Sequence, residues 1–586
     1  FASADFQTWS FQVVRHVQHS GAEDVWAPAL RAKASFVGQS GRLERLHGLR
    51  RGLVMDLHPE LTAVSAGARA PGGSYSREPV DPELGGSMRW GVTNNLTLNA
   101  AANPDFSQVE SDAGQINLDP RQAIFFPEKR PFFLDGIEQF ATPNNLIYTR
   151  QIVRPVAAVK LTGRSLGTDL AVLSAVDAPV SSSTGHHPIF NLLRLQTDIG
   201  GGSQLGLAYT DRIDGGDYNQ VADLDGRVVF GGVYAVVAQA AASRTRTDGK
   251  IATGPLWTLR FDRNGHRFGW RTYFGGVGDQ FITQSGFIGR RGLVNANVVP
   301  NFTFYPKPGS LVQRVTTAVT LGESWDYQHF IHNQGVQNRA LHLDVNSTLR
   351  GGWTVAAGWF LESYGYDPAL FDGYYLGVPD GSGGIRYEPF VGQSEIDNNE
   401  GYVRIVTPAY TGFDANIFAL YGNDENFSEW SSGRLLNIAA SINARPTDQL
   451  RLSFTYNHQQ VNRRTDGSLV LLNRIPRLKM EYQLARPLFI RLVGEYDASK
   501  QDSLRDNSRT EYPIYLADGN GGFARAGAVE NNSFHAEALV AFTPTPGTVV
   551  YAGYGSTMAD TESFSFRSLR RERDSFFAKV SYLFRL

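Results

Sequence analysis

The 586 residues contain no cysteine, which excludes disulfides, thiolate zinc sites and cysteine nucleophiles. No run of about 18 or more apolar residues occurs, so there is no transmembrane helix. A large excess of positive or negative residues is also lacking. A formal net charge of −2 with 19% charged residues provides no field to hold nucleic acid, and no nucleic-acid partner is expected. There is no Walker loop, no dinucleotide-binding glycine pattern and no GxSxG elbow. His186-His187, His329, His332 and His342 lack the HExxH spacing of a helical zinc site. The chain opens at Phe1 with neither an initiator Met nor a signal peptide, as expected of a processed product or a fragment.

What is present is glycine (61 residues), 12% aromatic residues and long stretches of alternation. Leu436, Ile438, Ala440, Ile442 and Ala444 alternate with Asn437, Ala439, Ser441 and Asn443. After a turn at Arg445-Pro446-Thr447-Asp448, Leu450, Leu452, Phe454 and Tyr456 alternate with Arg451, Ser453, Thr455 and Asn457. Leu478, Met480, Tyr482 and Leu484 against Arg477, Lys479, Glu481 and Gln483 repeat the pattern. One face is apolar and the other wet, which is strand periodicity. A single such hairpin fits a soluble sandwich equally well. The number of hairpins points instead to a barrel whose polar faces line a hydrated lumen, because closure alone satisfies strand edges in lipid.

Connections sort into tight turns, such as Thr93-Asn94-Asn95, Asn264-Gly265 and Pro544 to Gly547, and longer polar loops, notably 103 to 154, 277 to 293, 365 to 396, 422 to 433 and 498 to 530. Short turns on the periplasmic side and long loops outside are the pattern of bacterial outer-membrane barrels. The expectation is an all-β fold, a large antiparallel transmembrane β-barrel of about 24 strands (22 to 26) in the outer membrane, with both termini periplasmic. The first strand starts at Leu53, Met55 and Leu57 and ends near Ala68; the last runs from Arg570 to Leu586. Residues 1–50 read as the remnant of a periplasmic sandwich module plus a linker. They include a strand in Phe6 to His19 whose edge is open to a periplasmic or surface protein partner and a basic stretch from Arg42 to Arg51. Residues 51–586 read as the barrel. A ring of this size is of order 45 to 50 Å across, too wide for wall side chains to fill.

The insert 103–154 interrupts the alternation and carries Phe125-Phe126-Pro127-Glu128-Lys129-Arg130-Pro131-Phe132-Phe133-Leu134-Asp135-Gly136. Four Phe around Glu-Lys-Arg supply apolar area to bury, so it is expected to be ordered and to fold inward as a plug or lid. Phe125, Phe126, Glu128, Lys129, Arg130, Phe132, Phe133 and Asp135 would form a charged, aromatic constriction or tie the insert to the wall.

Asn103-Pro104-Asp105-Phe106-Ser107-Gln108-Val109-Glu110-Ser111-Asp112 and Phe125 to Leu134, with Gly91 to Asn99 before them and Lys160-Leu161-Thr162-Gly163 after, resemble an uncharacterised family of bacterial envelope proteins. Its members join an N-terminal carbohydrate-binding family-9-like sandwich to a C-terminal outer-membrane-type barrel. Phe6 to Pro28, with Trp9, Arg15 and Trp26, looks like the end of that sandwich. The resemblance implies fold and location. Hydrolase-like labels attached to such proteins would follow the sugar-binding module by association only.

Further candidates lie around the insert and in the loops. Asp105, Glu110, Asp112 and Asp119, with Glu128, Asp135 and Glu138, form an acidic group that could coordinate Ca²⁺, with the first four as its ligands, supply two catalytic carboxylates for glycoside cleavage, or pair with wall Arg and Lys. Tyr364, Tyr366, Tyr374 and Tyr375, with Phe371 and Tyr387, suit stacking on a glycan or an aromatic cluster that keeps a long loop folded. No cofactor other than Ca²⁺ is indicated. The functional expectation is a gated or plugged conduit for transport or export. The alternatives are a non-conducting scaffold binding glycan or a partner protein through its outer loops and, third, an outer-membrane glycoside hydrolase. Outer-membrane lipid and lipopolysaccharide surround the barrel in each case.

Overall fold

The computed structural model describes residues 6–17, 22–29, 39–47, 55–519, 521–545 and 547–586. The expected start of the first wall strand at Leu53, and the ends of the Phe6–His19 and Arg42–Arg51 stretches, lie outside them. Two small antiparallel pairs come first: Phe6–Phe11 with Gly41–His47, and Val14–Val17 with Ala22–Val25.

From Met55 the chain closes into one antiparallel barrel. Two of its members, Tyr75–Arg77 and Phe584–Arg585, are short segments on the flanks of the strand Met55–Arg69, and the remaining 24 form the wall. Each expected tight turn joins two neighbouring strands, for example Ser431–Ala444 to Leu450–Arg463 and Leu469–Ala485 to Leu488–Gln501. Gly163 shows why one position in the insert-flanking motif is glycine: its φ of 149° is unfavourable for other residues, and a Cβ there would meet the Asn95 carbonyl oxygen at 1.9 Å.

The seam is closed between the first and last strands, with Arg573 opposite Ala68 through to Ser581 opposite Glu60. Charges fasten it at three heights: Arg585 to Asp56 at 2.8 Å, Lys579 to Glu60 at 2.6 Å and Arg77 to Asp574 at 2.6 Å. The outward row of the last strand, Phe576, Val580, Tyr582 and Phe584, is exposed, as a lipid-facing surface requires. On another sector Trp257, Phe274, Trp325 and Phe330 pack ring to ring, in the manner of an interfacial aromatic girdle.

The loop end departs from expectation in three ways. Two connections there, 215–216 and 248–249, are turns of two residues. Most of 422–433 is strand, leaving only 427–430 between Phe413–Asn426 and Ser431–Ala444. Segments 365–396 and 498–530 fold together, contributing Ile385–Pro389, Tyr374–Pro379, Ile514–Ala517 and Phe523–Arg525, in that order, to one four-stranded sheet. Sequence periodicity gives each short strand but not its partner about 140 residues away.

Candidate functional site: the lumenal insert

The insert leaves the wall after Leu96–Ala102 and returns at Pro155–Ser165. Between them it forms a four-residue helix, Pro131–Leu134, and two single turns, Ile137–Phe140 and Thr149–Gln151. Pro131 starts the helix because its missing N–H would be unpaired there in any case. Gly136, at φ 72°, turns the chain before the second segment.

Its internal scaffold is built on Glu128. The carboxylate accepts from the backbone N–H groups of Lys129 and Arg130 (3.0 and 2.9 Å), from the Arg130 guanidinium at both oxygens (2.8 and 2.7 Å) and from Thr149 Oγ1 (2.7 Å). Arg130 also donates to the carbonyls of Thr149 (2.8 Å) and Ile152 (2.6 Å). Burial opposes ionisation of Glu128, but Arg130 and the surrounding donors hold it below the usual carboxylate range. The motif therefore ties the insert to itself and does not form a charged ring across the lumen. Lys129 reaches Asp112 at 3.2 Å and the Ser111 carbonyl at 2.9 Å, and Arg150 grips Asp112 from the other side.

One flank of the insert is an apolar dock. Phe133, 1% exposed, packs with Phe140 and Ile152 on Ala158, Leu173, Phe190 and Leu192 of the wall. Leu146, fully buried, packs on Val221, Ala241, Leu256 and Phe281. The wall is thus apolar on its lumenal face beneath the dock, where a wet lumen was expected. Lys160, from the wall, donates to the carbonyls of Phe132 and Asp135, and Asp135 accepts from Asn99 at 3.0 Å. Segment 277–293, expected as an outer loop, folds in beside the insert: Tyr148 N donates to Ser285 O (2.8 Å), and Phe125 packs on Tyr148 and Phe287.

The opposite flank is ionic. Glu110 pairs with Arg477 (2.9 Å) and Lys479 (3.3 Å), and Arg477 also binds Glu495 (3.0 Å). Glu495 accepts from Gly114 N at 3.0 Å and Glu537 from Ser111 N at 3.3 Å. Lys579 donates to the Asp105 carbonyl (2.6 Å) and faces its carboxylate at 3.4 Å. Burial works against Glu110 ionising, but the two cations keep it below the ordinary carboxylate range. Two cavities flank this bar, and Asp112 lines both. One of 540 Å³ lies between Gly114, Lys129 and the wall residues Arg404, Phe418 and Ser441. The other, of 670 Å³, lies between Ser111 and His535, Arg573 and Ser575.

The four carboxylates proposed to share Ca²⁺ are not brought together: Asp105 goes to Lys579, Glu110 to Arg477, Asp112 to Arg150 and Asp119 to Arg121. Among the described residues no three His, Asp or Glu gather as metal ligands. Asp112 and Glu128, each bound to an arginine, do not form a free carboxylate pair facing a cleft.

The tyrosines separate into two groups. Tyr364 and Tyr366 are buried with Phe371, Leu376, Trp430 and Ile514 in a core that caps the loop end, and Tyr374 packs against it. Buried rings cannot stack on a glycan. Tyr375 lies on the sheet's other face, against Phe523, beside Tyr387 and Tyr515. Arg121, which the sequence did not single out, joins the two regions. Held by Asp119 at 2.8 and 2.9 Å, it lies over Tyr364 (4.8 Å) and Phe427 (5.0 Å). Nothing local to residue 121 marks this contact, because its aromatic partners are about 240 residues or more away.

A family model described as Domain of unknown function (DUF5916) matches residues 71–166, which hold the wall strands Asp81–Gly91 and Leu96–Ala102, the insert and the strand Pro155–Ser165. Among curated proteins none matches. Solved structures with a similar fold include a siderophore receptor PirA from Acinetobacter baumannii, at 10% identity and TM-score 0.43 over 97% of this chain and 88% of that one. A variant of the ferric enterobactin receptor PfeA from Pseudomonas aeruginosa is 9% identical, at TM-score 0.43 over 90% and 80%. The copper transporter OprC is 10% identical, at TM-score 0.35 over 93% and 83%. Likeness of this degree carries nothing about ligand.

Proposed function

We propose that the protein is a conduit across the outer membrane, closed by its own insert, which opens by releasing the ionic flank while the apolar flank stays docked. The asymmetry of attachment supports this reading. Dispersion and burial hold Phe133 and Leu146 to one wall, whereas the other side is held by charge pairs next to two cavities. Charged groups released from such pairs are rehydrated beside the cavities, which offsets part of the lost pairing, whereas apolar side chains gain nothing from water. Arg121 would carry a signal from the loop-end core to the insert. In this reading the loop end faces outward and both termini are periplasmic.

The test is single-channel conductance in a planar bilayer, with and without residues 104–149. The deletion should open a large pore, and a barrel that folds without the insert and stays closed would remove it as the gate. Because the chain has no cysteine, Gly114→Cys with Ile475→Cys, placed where a Cβ at 114 would lie 3.1 Å from Ile475 Cγ2, gives a second arm. Oxidation should lock the channel shut and reduction should release it.

The aromatic face formed by Tyr375, Tyr387, Tyr515 and Phe523 favours a second reading, a surface scaffold that binds glycan or a partner protein. Glycan-array binding lost in Tyr375→Ala and Tyr387→Ala, with conductance low in every variant, would favour it over the conduit.

A further inference from the structure

The exterior of the barrel carries a polar row where lipid should be. Strand register aligns Ser174, Asn191, Asp211, Gln220, Arg244 and Thr253 side by side across six neighbouring strands. They share the outward face with the exposed Leu205, Leu207, Leu224 and Ile213. The next row toward the loop end reads Val176, Ile189, Ile213, Tyr218, Arg246 and Ile251, so one exposed charge stands in it; the next row toward the turns reads Leu193, Tyr209, Ala222 and Ala242. The row toward the turns is apolar, and the row toward the loop end is apolar at Val176, Ile189 and Ile213, on the strands that carry Ser174, Asn191 and Asp211. A lone charge on a lipid face is destabilising, and polar groups in lipid mark packing against other protein.

Asp211 is 9% exposed, and its Oδ1 has no hydrogen-bond partner. Arg244 is exposed, lies over Tyr218 at 5.8 Å and pairs with no carboxylate among the described residues. They stand one strand to either side of Gln220. Below them Tyr209, Ala222, Ala242 and Pro255 line a trough of 500 Å³, where small side chains permit close approach of another wall. Of the three loop-end connections of this sector, 215–216 and 248–249 are two-residue turns, and the longer 178–188 is tied through Ser182 and Thr184 to Asp214, three residues from Asp211.

We propose that this face is the interface of a homodimer, with a second copy of the chain as its occupant. Two copies in one membrane with the same orientation can close only about an axis normal to the bilayer, which preserves height and exchanges left for right. A row reading negative, neutral, positive is self-complementary under that operation. With the axis beside Gln220, Asp211 of each copy faces Arg244 of the other, and the alanine troughs meet beneath. This assembly is independent of whether the insert gates.

The test uses the natural absence of cysteine. Gln220→Cys, oxidised in intact outer membranes, should give a crosslinked dimer, whereas Leu343→Cys on another outward sector should not. Asp211→Arg should lower dimer yield about tenfold or more, and Asp211→Arg with Arg244→Asp should restore it. Heat-modifiable migration on gels checks that each variant is a folded barrel. Equal crosslinking at 220 and 343, or folded swap variants in which the double change does not restore the dimer, would overturn the proposal. So would native mass spectrometry showing a monomer that carries a phosphorylated glycolipid lost in Arg244→Ala, since the row would then be a lipid site.

Discussion

Asp112 and Arg150 are 38 residues apart in the insert, and the guanidinium reaches both oxygens of the carboxylate inside the lumen. Lys129 closes on the same group. Three stretches of the insert are thereby clasped at the point that separates the two cavities, so the ionic flank can move only as a unit.

Glu110→Gln removes the charge shared by Arg477 and Lys479. Arg477 keeps Glu495, so the wall stays intact while the insert loses its main ionic hold. Losing one partner of a half-buried pair costs about 1–3 kcal/mol, which should raise open probability about tenfold to a hundredfold. Single-channel recording reads this directly, and an unchanged open probability would remove the pair from the latch.

Acid should open the channel. Burial resists ionisation of Glu110 and Glu128, but their cations win and keep both folded-state values below the ordinary carboxylate range. Groups depressed in this way hold the insert fully at pH values above the undocked carboxylate range. They lose that contribution as pH falls through the docked values. Conductance measured from pH 7 downward should be flat and then rise, and Glu110→Gln should flatten the rise. A rise on the alkaline side instead would have the wrong sign for this mechanism.

Phe133→Ala should release the apolar dock. Truncating so buried a ring costs about 3–5 kcal/mol, borne by the insert and not by the wall. Limited proteolysis should cut within 125–150 while heat-modifiable migration of the barrel is retained. Loss of the barrel itself would mean the dock is part of the wall's own stability.

Arg121→Ala removes the contact between the insert and the loop-end core, worth about 0.5–2 kcal/mol as cation–π pairing. Hydrogen exchange should quicken both at 119–123 and around Tyr364 and Phe427. Faster exchange confined to the insert would show that no signal passes by this route.

Asp574→Ala should weaken the seam. Its buried carboxylate binds Arg77, Arg571 and the Tyr75 hydroxyl, and leaving these donors unmatched costs about 1–3 kcal/mol. The midpoint of heat modifiability should fall with the insert still protected from protease.

The wall was legible in the sequence. A period of two puts Leu436, Ile438 and Ala440 on one side and Asn437 and Ser441 on the other wherever the strand ends up, and a turn at Arg445–Asp448 fixes its neighbour. Alternation and short turns are local signals, and closure follows from them because lipid tolerates no open edge. The insert was recognisable for the opposite reason, that it breaks the period and supplies Phe where the pattern fails. Only the tertiary structure decided what its charges do. Glu110 meets Arg477 across 367 residues, Arg121 meets Tyr364, and Asp211 stands two strands from Arg244 only because the register places it there. Charge pairing is short-ranged in space and has no period in sequence. The same carboxylates therefore read equally well as metal ligands, as catalysts or as ties until the chain was folded.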